Sequence, residues 1–335
     1  MSFSNTFDTT NQGSAVSNRE DLTDVLTILA PEETPVLSSA SKSKANATFV
    51  EWTVDKLSDP VTSGIDEGAD VTTFTDKFAA RARLGNYIQK FRRDYMVSDL
   101  QESVESVGPA KIAQAEAKAI RELKRDVEAT LVSSNDRNAE DGAGQPYTMR
   151  GLGKFIESTA NTGGAGAPAD IPADYRTPAG SISAAGNAIT ETQFNTVIRS
   201  IYEEVGSTQN LTLVADTNLR TRISDFARLA AATDAAANMR NVNYDGNNST
   251  IKLSVEIYQS DFGTVSIVNS NPKCSADTAN LDQGFFVNPE YYGIHDLIPM
   301  GSTRLPNLGG GERGFVDCAL TLGVYHPAAH GKIVG

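Results

Sequence analysis

The sequence has few of the residues on which disulfide-rich or membrane-bound proteins depend. Its 335 residues include two cysteines, Cys274 and Cys318, so a disulfide framework is excluded and a reducing compartment is favoured. No apolar run approaches the ~20 residues that a membrane-spanning helix needs. The N-terminus lacks the basic start and apolar core of a signal peptide. We therefore predict a chain that is synthesised in the cytoplasm and has no membrane partner.

Positive charge is also scarce. The chain has 42 acidic and 29 basic residues, which gives a formal net charge of −13. Tight binding to phosphate backbones without regard to sequence needs a net cationic surface. Any contact with nucleic acid should therefore be weak and limited to local basic patches.

Signals for catalysis are few, and each has a simpler explanation. The stretch GGGERG (309–314) fits G-x-G-x-x-G, but it precedes a strand-like segment rather than a helix, so it is predicted to be a turn. His326 and His330 are four residues apart, but Pro327 prevents the helical spacing that a shared metal would need, so surface histidines are expected. No nucleophile elbow accompanies His295. We predict no enzyme activity, no metal and no cofactor.

The first part of the chain reads as a polar arm followed by extended segments. A short amphipathic helix is predicted on the arm before Pro31. Two strand-like stretches, 47–57 and 77–98, flank a separator that contains glycine and proline. The second stretch would reach ~60 Å at ~3.3 Å per residue, so it should project from its own globule. Because an isolated two-stranded ribbon is only marginally stable, this ribbon should contact another subunit.

A long helix is predicted next, over AEAKAIRELKRDVEATLVSS and the residues just before it. It should begin near Pro109 and run for ~25 residues. One arc is apolar and should face the core: Ile112, Ala119, Ile120, Leu123, Val127 and Leu131. The other arcs are charged and include Lys124 and Glu128, so the helix is predicted to act as a strut. Glu116 is a charged residue inside the apolar arc. Its position would be explained by a helix end at which the side chain reaches solvent, or by a contact with a neighbouring subunit.

The second part of the chain mixes loops, helices and strands. Residues 134–187 are rich in glycine, alanine and proline and are predicted to be a long loop broken by GLGKFIES. A capping box at Thr190 and Gln193 starts a helix that ends at Gly206. The helix is followed by a buried strand at 210–216, a second helix at 217–226 and another loop at 227–250. A hairpin at 250–271 and the last strands at 284–335 complete the chain. Without regular β-α-β alternation, the fold class is α+β.

Charged residues near the ribbon are candidate contacts between subunits. The segment YIQKFRRDY has the composition of a nucleic-acid patch, but pairing with the acidic tip GIDEGAD of a neighbouring subunit explains both charges together. Arginines also alternate along one face of the ribbon. The candidate residues are Asp66, Glu67, Arg81, Arg83, Lys90, Arg92 and Arg93. On the polar arm, Phe3 and Phe7 are the only large anchors, so they are expected to lie against an adjacent subunit.

The order of these parts resembles the major capsid protein of tailed double-stranded DNA phages, which has the Hong Kong 97-like capsid fold. REDLTDVLTILAPEETPVLS, FVEWTVDKL, RLGNYIQKFRRDYMVSD and AEAKAIRELKRDVEATLVS resemble its arm, extended loop and spine helix. TETQFNTVIRSIYEEVGSTQNLTLVADTNLRTRISDF resembles its axial domain, and LGVYHPAAHGKIVG the closing strand of its peripheral domain. Lys56 and Lys77 lie on the element that forms a lysine–asparagine cross-link in some members. No matching asparagine or helper carboxylate is found, so that chemistry is not carried over.

The resemblance implies a domain organisation and a function. The segments would be an N-terminal arm (1–45), an extended loop with a β-hairpin (46–95), a peripheral domain with the spine helix (96–155), an axial domain (156–288) and return strands of the peripheral domain (289–335). The implied function is a shell subunit that forms pentamers and hexamers around packaged DNA, with a portal and scaffold or decoration proteins as partners. The alternatives are an encapsulin-like compartment shell, which the same fold builds, and a hydrolase.

Overall fold

The computed structural model describes residues 34–58, 60–104, 111–158, 166–206, 211–226, 256–270 and 283–334. The helices are α1 (Pro35–Ser39), α2 (Asp99–Ser103), α3 (Lys111–Val132), α4 (Leu152–Phe155), α5 (Glu191–Val205) and α6 (Thr217–Phe226). The strands are β1 (Ser41–Lys44), β2 (Phe49–Val54), β3 (Ala82–Tyr87), β4 (Gln89–Val97), β5 (Ile182–Ser183), β6 (Leu211–Ala215), β7 (Ile257–Ser260), β8 (Gly263–Asn269), β9 (Gly284–Val287), β10 (Tyr292–Leu305), β11 (Glu312–Val324) and β12 (Gly331–Ile333). The predicted helix before Pro31 lies outside the described residues.

A four-stranded sheet and the long helix α3 form the first half of the core. The strand order is β1-β10-β11-β4, with β1 parallel to β10 and the other pairs antiparallel. Leu123, Val127 and Leu131 of α3 are fully buried in this core. The predicted apolar arc of the helix is confirmed at these positions. The turn predicted at 309–314 is confirmed at residues 309–311, which end the connection from β10 to β11, whereas residues 312–314 already belong to β11.

Glu128 is a correction to the predicted charged arc of α3. Its side chain is 2% exposed, although the helical phase placed it with the solvated charges. The Glu128 carboxylate accepts hydrogen bonds from the backbone N–H groups of Val36 and Leu37 at 2.9 and 2.8 Å. The short helix α1 therefore covers a side of α3 that the sequence pattern leaves to solvent.

The predicted projecting ribbon at 77–98 is wrong in its extent. The structure divides this stretch into β3, which pairs with β2, and β4, which pairs with β11 inside the four-stranded sheet. Phe91 and Tyr95 of β4 are buried in the core, and the residues on either side of each of them, Lys90, Arg92, Asp94 and Met96, are exposed. This alternation is that of a half-buried strand. What extends from the globule is the segment without strands between β2 and β3.

The segment predicted as a long loop broken by GLGKFIES, residues 134–187, places several of its side chains in the core. Met149, Leu152 and Phe155 are almost fully buried. Arg150 is 2% exposed and donates hydrogen bonds to Asp136 at 2.7 Å and to both carboxylate oxygens of Asp170 at 3.0 and 2.7 Å. Burial by itself raises the pKa of Asp170. The hydrogen bonds and positive charge of Arg150 lower this pKa by more, so that it lies below its usual range. Buried side chains and this ion-pair cluster hold the described parts of the segment, 134–158 and 166–187, which contain no long helix or strand.

A six-stranded sheet with α5 and α6 forms the second half of the core. The strand order is β5-β12-β9-β6-β8-β7. The capping box is confirmed, because Thr190 and Gln193 bond to each other's backbone N–H groups at the start of α5. Gly206 ends α5 with φ of 73°, a left-handed conformation that favours glycine. The predicted buried strand, second helix and hairpin are present as β6, α6 and β7–β8. The loop predicted at 227–250 lies outside the described residues.

The chain end differs from prediction in two ways. The closing strand β12 pairs with β9 and β5 in the six-stranded sheet, not with the long strands of the first sheet. His330, expected on the surface, is fully buried, and its Nδ1 accepts the Asn288 N–H at 3.2 Å. His326 is partly exposed, and its Nδ1 is buried without a hydrogen-bond partner. The short turn Pro327–Ala329 causes both differences, because it carries the chain through the interior from one sheet to the other.

Acid should destabilise the subunit through His330. Burial lowers the pKa of His330 from 6.5 to about 4. Between these values the unfolded chain binds a proton that the folded chain does not, so stability is present above pH 6.5 and is lost as the pH falls towards 4. We expect urea unfolding at pH 5 to show a loss of ~2 kcal/mol relative to pH 7 from this group. His330→Asn keeps an acceptor for the Asn288 N–H and should show a correspondingly smaller loss. An equal loss in both proteins would contradict this assignment.

Candidate subunit-contact surfaces

The segment between β2 and β3, residues 55–81, is named here the apolar loop. Its large apolar side chains are left in solvent, and the exposed fraction of each is given in parentheses: Leu57 (92%), Val61 (83%), Ile65 (88%), Val71 (70%), Phe74 (86%) and Phe78 (60%). Single exposed apolar residues are ordinary, but six in one segment make it a candidate interaction surface. The sequence does contain this signal, since an apolar residue recurs every few positions among polar ones.

The apolar loop is fastened to its own subunit at its two ends. Arg81 donates a hydrogen bond to Asp55 at 2.9 Å, and its guanidinium lies 4.0 Å from the centroid of the Phe78 ring. The Tyr175 hydroxyl donates to the Ala80 carbonyl. At the other end, the Lys56 ammonium lies 3.7 Å from a carboxylate oxygen of Glu204. These contacts hold the base of the loop and leave its middle free to meet another molecule.

Buried polar groups also fix the β2–β3 ribbon that carries the loop. Asn86 of β3 is fully buried and donates from its amide nitrogen to the carbonyls of Arg150 and Leu322, at 3.1 and 2.9 Å. Its amide oxygen accepts the Arg150 N–H at 2.8 Å. The guanidinium of Arg137 donates to the Gly85 carbonyl beside it. The loop therefore leaves from a base with a defined orientation.

The predicted charged contacts divide into two groups. Lys90 lies 3.2 Å from Asp317, and Arg93 forms a two-point pair with Asp126 at 2.6 and 2.8 Å. The hydrogen bond to Asp126 is the main reason that the pKa of Arg93 is raised. Together with Arg81, these residues have partners in their own subunit. The other four predicted residues are exposed: Asp66, Glu67, Arg83 and Arg92. Pairing of this second group across subunits stays a prediction.

Two further predictions concern Glu116 and the arm. Glu116 lies 3.6 Å from Arg304 of β10 and is one-quarter exposed, so its place in the apolar arc is compensated within the subunit. Because both charges reach solvent, this pair contributes little to stability. Phe3 and Phe7 lie outside the described residues, and their contact with an adjacent subunit stays a prediction.

A second exposed apolar group, which sequence reasoning missed, lies at one end of the four-stranded sheet. Met96 and Leu305 flank Arg313 on the two neighbouring strands, and they are 62% and 42% exposed. Leu100 of α2 and Leu308 of the β10–β11 turn are each 80% exposed. Asn307 donates a hydrogen bond to Asp99 at 3.2 Å, which ties this turn to α2. This end of the sheet is a second candidate contact surface.

Chemical sites are not apparent in the part of the chain that the structure describes. No group of three or more histidine, cysteine, aspartate or glutamate side chains in those residues could hold a metal ion. Within the same ranges, no helix has both the length and the apolar character to cross a membrane. Cys318 is buried between strands, and burial raises the pKa of its thiol to about 12. The surfaces above are therefore the best candidates for function.

Comparison with known proteins identifies relatives of this architecture. The sequence model of the SU10 major capsid protein family matches residues 3–335. No curated protein sequence matches the chain. The capsid structure of the cyanophage P-SCSP1u is 13% identical, with a TM-score of 0.62 over 100% of this chain and 99% of that chain. The capsid asymmetric unit of cyanophage A-1(L) is 14% identical, with a TM-score of 0.61 over 97% and 98%. The capsid of a native GTA particle is 13% identical, with a TM-score of 0.60 over 96% of each chain.

These findings bear on the predicted fold and class of protein. The likeness to capsid structures extends over nearly whole chains, which confirms the predicted Hong Kong 97-like capsid fold. The family match confirms a structural major capsid protein of tailed phages, which forms the shell of the virion and is not an enzyme. It favours neither the encapsulin-like shell nor the hydrolase. The chain belongs to the SU10 major capsid protein family.

Proposed function

We propose that this protein assembles into pentamers and hexamers of an icosahedral shell that encloses packaged double-stranded DNA. The observation that carries the proposal is the apolar loop, whose large side chains are 60 to 92% exposed. Leaving that much apolar surface in water is unfavourable, and covering it with a second copy of the chain would release ~25 cal/mol per Å². A closed shell provides such a neighbour for every subunit.

The parts of the chain have different roles in this proposal. We assign residues 1–45 to the N-terminal arm, 46–95 to the extended loop, 96–155 to the peripheral domain, 156–288 to the axial domain and 289–335 to the return strands. The β4 pairing suggests that the loop gives way to the peripheral sheet before residue 95, and the β12 pairing suggests that the last return strand serves the axial sheet. Both sheets would then be rigid bodies from which the arm and loop reach neighbours.

Contacts other than self-association follow from charge and from the resemblance to phage capsids. With a net charge of −13, the subunit should touch packaged DNA only weakly and without regard to sequence. We propose a portal, and scaffold or decoration proteins, as further partners, with synthesis in the cytoplasm of a bacterial host. The exposed Asp66, Glu67, Arg83 and Arg92 would form charge pairs between subunits, and these would weaken as salt rises.

A charge substitution in the apolar loop tests the proposal. Val71→Asp with Phe74→Asp should prevent shell formation, because two carboxylates would be buried without partners in the contact. The matched control is Thr72→Asp with Thr73→Asp, which adds the same charge at exposed positions of the same loop. Sedimentation velocity and negative-stain microscopy should show shells for the wild type and the control, and subunits with an unchanged melting temperature for the first variant.

Two outcomes of that experiment would count against the proposed contact. Shells of normal stability from the Val71 and Phe74 variant would show that these side chains are not covered in the assembly. Loss of shells from both variants would show that added charge, rather than loss of an apolar contact, prevents assembly.

A further inference from the structure

We propose that the buried Glu128 of α3 fastens residues 34–45, named here the arm root, and so fixes the position and direction of the chain at residue 34. Glu128 is then a positioning residue, and its action is local to one subunit. The contact is made within one subunit, so it does not depend on pentamers or hexamers.

The two hydrogen bonds of Glu128 are placed where helix α1 needs them. The first N–H groups of a helix have no partner within the helix. Thr34 precedes α1, and its side chain makes no capping bond. The Glu128 oxygens instead accept the N–H groups of Val36 and Leu37, from a position 91 to 92 residues away in the chain. The negative charge also suits the positive end of the α1 dipole. Glu128 thus provides the cap that the local sequence lacks.

Because Glu128 is buried, its carboxylate and the arm root each depend on the other for a hydrogen-bond partner. An ionised carboxylate buried without a partner is costly. In the described part of the chain, no lysine or arginine forms an ion pair with Glu128, and the backbone N–H groups of the arm root are its hydrogen-bond donors. Burial raises the pKa of Glu128, and the bonds to Val36 and Leu37 oppose that rise. Detaching the arm root would leave the carboxylate unsatisfied, just as removing the carboxylate would leave two N–H groups unsatisfied.

The remainder of the arm root is held by different contacts. The Tyr292 hydroxyl lies 2.6 Å from Ser39 Oγ and 3.3 Å from the Val36 carbonyl oxygen. Strand β1 pairs in parallel with residues 293–296 of β10, and the Ala45 N–H donates to the Asp296 carbonyl at 2.9 Å. The strand end of the arm root is therefore held by backbone pairing. The helix end is held by Tyr292, by the buried Val36 side chain and by Glu128, and Glu128 is the acceptor for the first N–H groups of α1. Removing the carboxylate should therefore loosen the first turn of α1 while the sheet stays intact.

Hydrogen exchange of the full-length chain tests this inference. In Glu128→Ala, we expect the amides of Val36 and Leu37 to exchange at least ~10-fold faster than in the wild type, because they lose their acceptors. Exchange in α3 and in β1 should be unchanged. Glu128→Gln keeps one acceptor oxygen and should give an intermediate effect. The control is Glu122→Gln on the same helix, which removes the same charge from a partly exposed side chain and should change neither amide.

The readout separates positioning from a general structural role. Overall stability is a poor guide, because removing a buried charge also removes a desolvation cost. Unchanged exchange at Val36 and Leu37 in Glu128→Ala would overturn the inference. Equal acceleration in α1, α3 and β10 would also overturn it, because Glu128 would then support the whole fold. If Glu128→Ala does not fold, the comparison of Glu128→Gln with Glu122→Gln decides the question. The result is independent of the apolar loop, since its variants leave Glu128 in place.

Discussion

Replacing Lys332 with methionine is expected to lower the free energy of unfolding by ~3 to 5 kcal/mol. The Lys332 ammonium donates hydrogen bonds to Glu157 Oε1 at 2.6 Å and to the Gly153 carbonyl at 3.1 Å. Both charged side chains are 2% exposed, and Glu157 Oε2 is buried without a hydrogen-bond partner. Methionine would fill much of the space but would leave the carboxylate uncompensated. Urea unfolding followed by fluorescence of Trp52, the single tryptophan, measures the change.

A second substitution distinguishes an uncompensated charge from lost packing. Lys332→Met with Glu157→Leu removes both charges, and replacing a buried pair with apolar residues is often neutral or stabilising. The double variant should therefore recover most of the stability that the single variant loses. The control is Lys118→Met at an exposed position of α3, where a change within ~0.5 kcal/mol is expected. A double variant as unstable as the single one would show that the shape of Lys332, and not its charge, is what the fold requires.

Leu123→Ala is expected to lower the free energy of unfolding by ~2 to 5 kcal/mol. Leu123 is fully buried where α3 meets the four-stranded sheet, and truncation would leave a cavity that the rigid strands can only partly close. Its neighbour Lys124 is exposed on the other side of the helix. Lys124→Ala should change stability by less than ~0.5 kcal/mol. Urea unfolding of both variants measures this difference, and equal effects would mean that the helical phase is wrong.

The parts of the fold that the sequence predicts well are those with local causes. The apolar spacing of α3 follows from helix geometry, and the burial of Leu123, Val127 and Leu131 agrees with it. The start of α5 at Thr190 and its end at Gly206 depend on capping groups within a few residues. Such interactions leave a short-range pattern in the chain, so they can be read without knowing the rest of the structure.

The features that the sequence does not predict depend on distant segments. Glu128 is buried because α1 folds over it, and His330 because a turn carries the chain between two sheets. Arg150 is in the core because Asp136 and Asp170 of the same irregular segment surround it. The sequence does not indicate that a charged or histidine side chain will be buried. The free-energy cost of burying it depends on hydrogen-bond partners that come from distant parts of the chain. The prediction that Glu128 and His330 are solvated is wrong for this reason.

The candidate contact surfaces divide in the same way. The exposed apolar residues of the apolar loop are visible in the sequence as isolated apolar positions among polar ones. The group at Met96, Leu100, Leu305 and Leu308 comes together only when β4, α2 and the β10–β11 turn meet at one end of the sheet. Among the predicted charges, Lys90 and Arg93 are neutralised within the subunit because strand pairing and helix packing bring acidic residues to them. The composition of the segment identifies these residues as a basic cluster, but it does not identify the acidic residues that pair with them.

The most direct test of the account is electron cryo-microscopy of the particles that the full-length wild-type chain forms. The account predicts closed icosahedral shells built from pentamers and hexamers, with the apolar loop of each subunit covered by another copy. Val71 and Phe74, which are 70% and 86% exposed in the single subunit, should be buried in that contact. A shell in which these side chains remain in solvent, or a protein that forms only open small oligomers, would contradict the account.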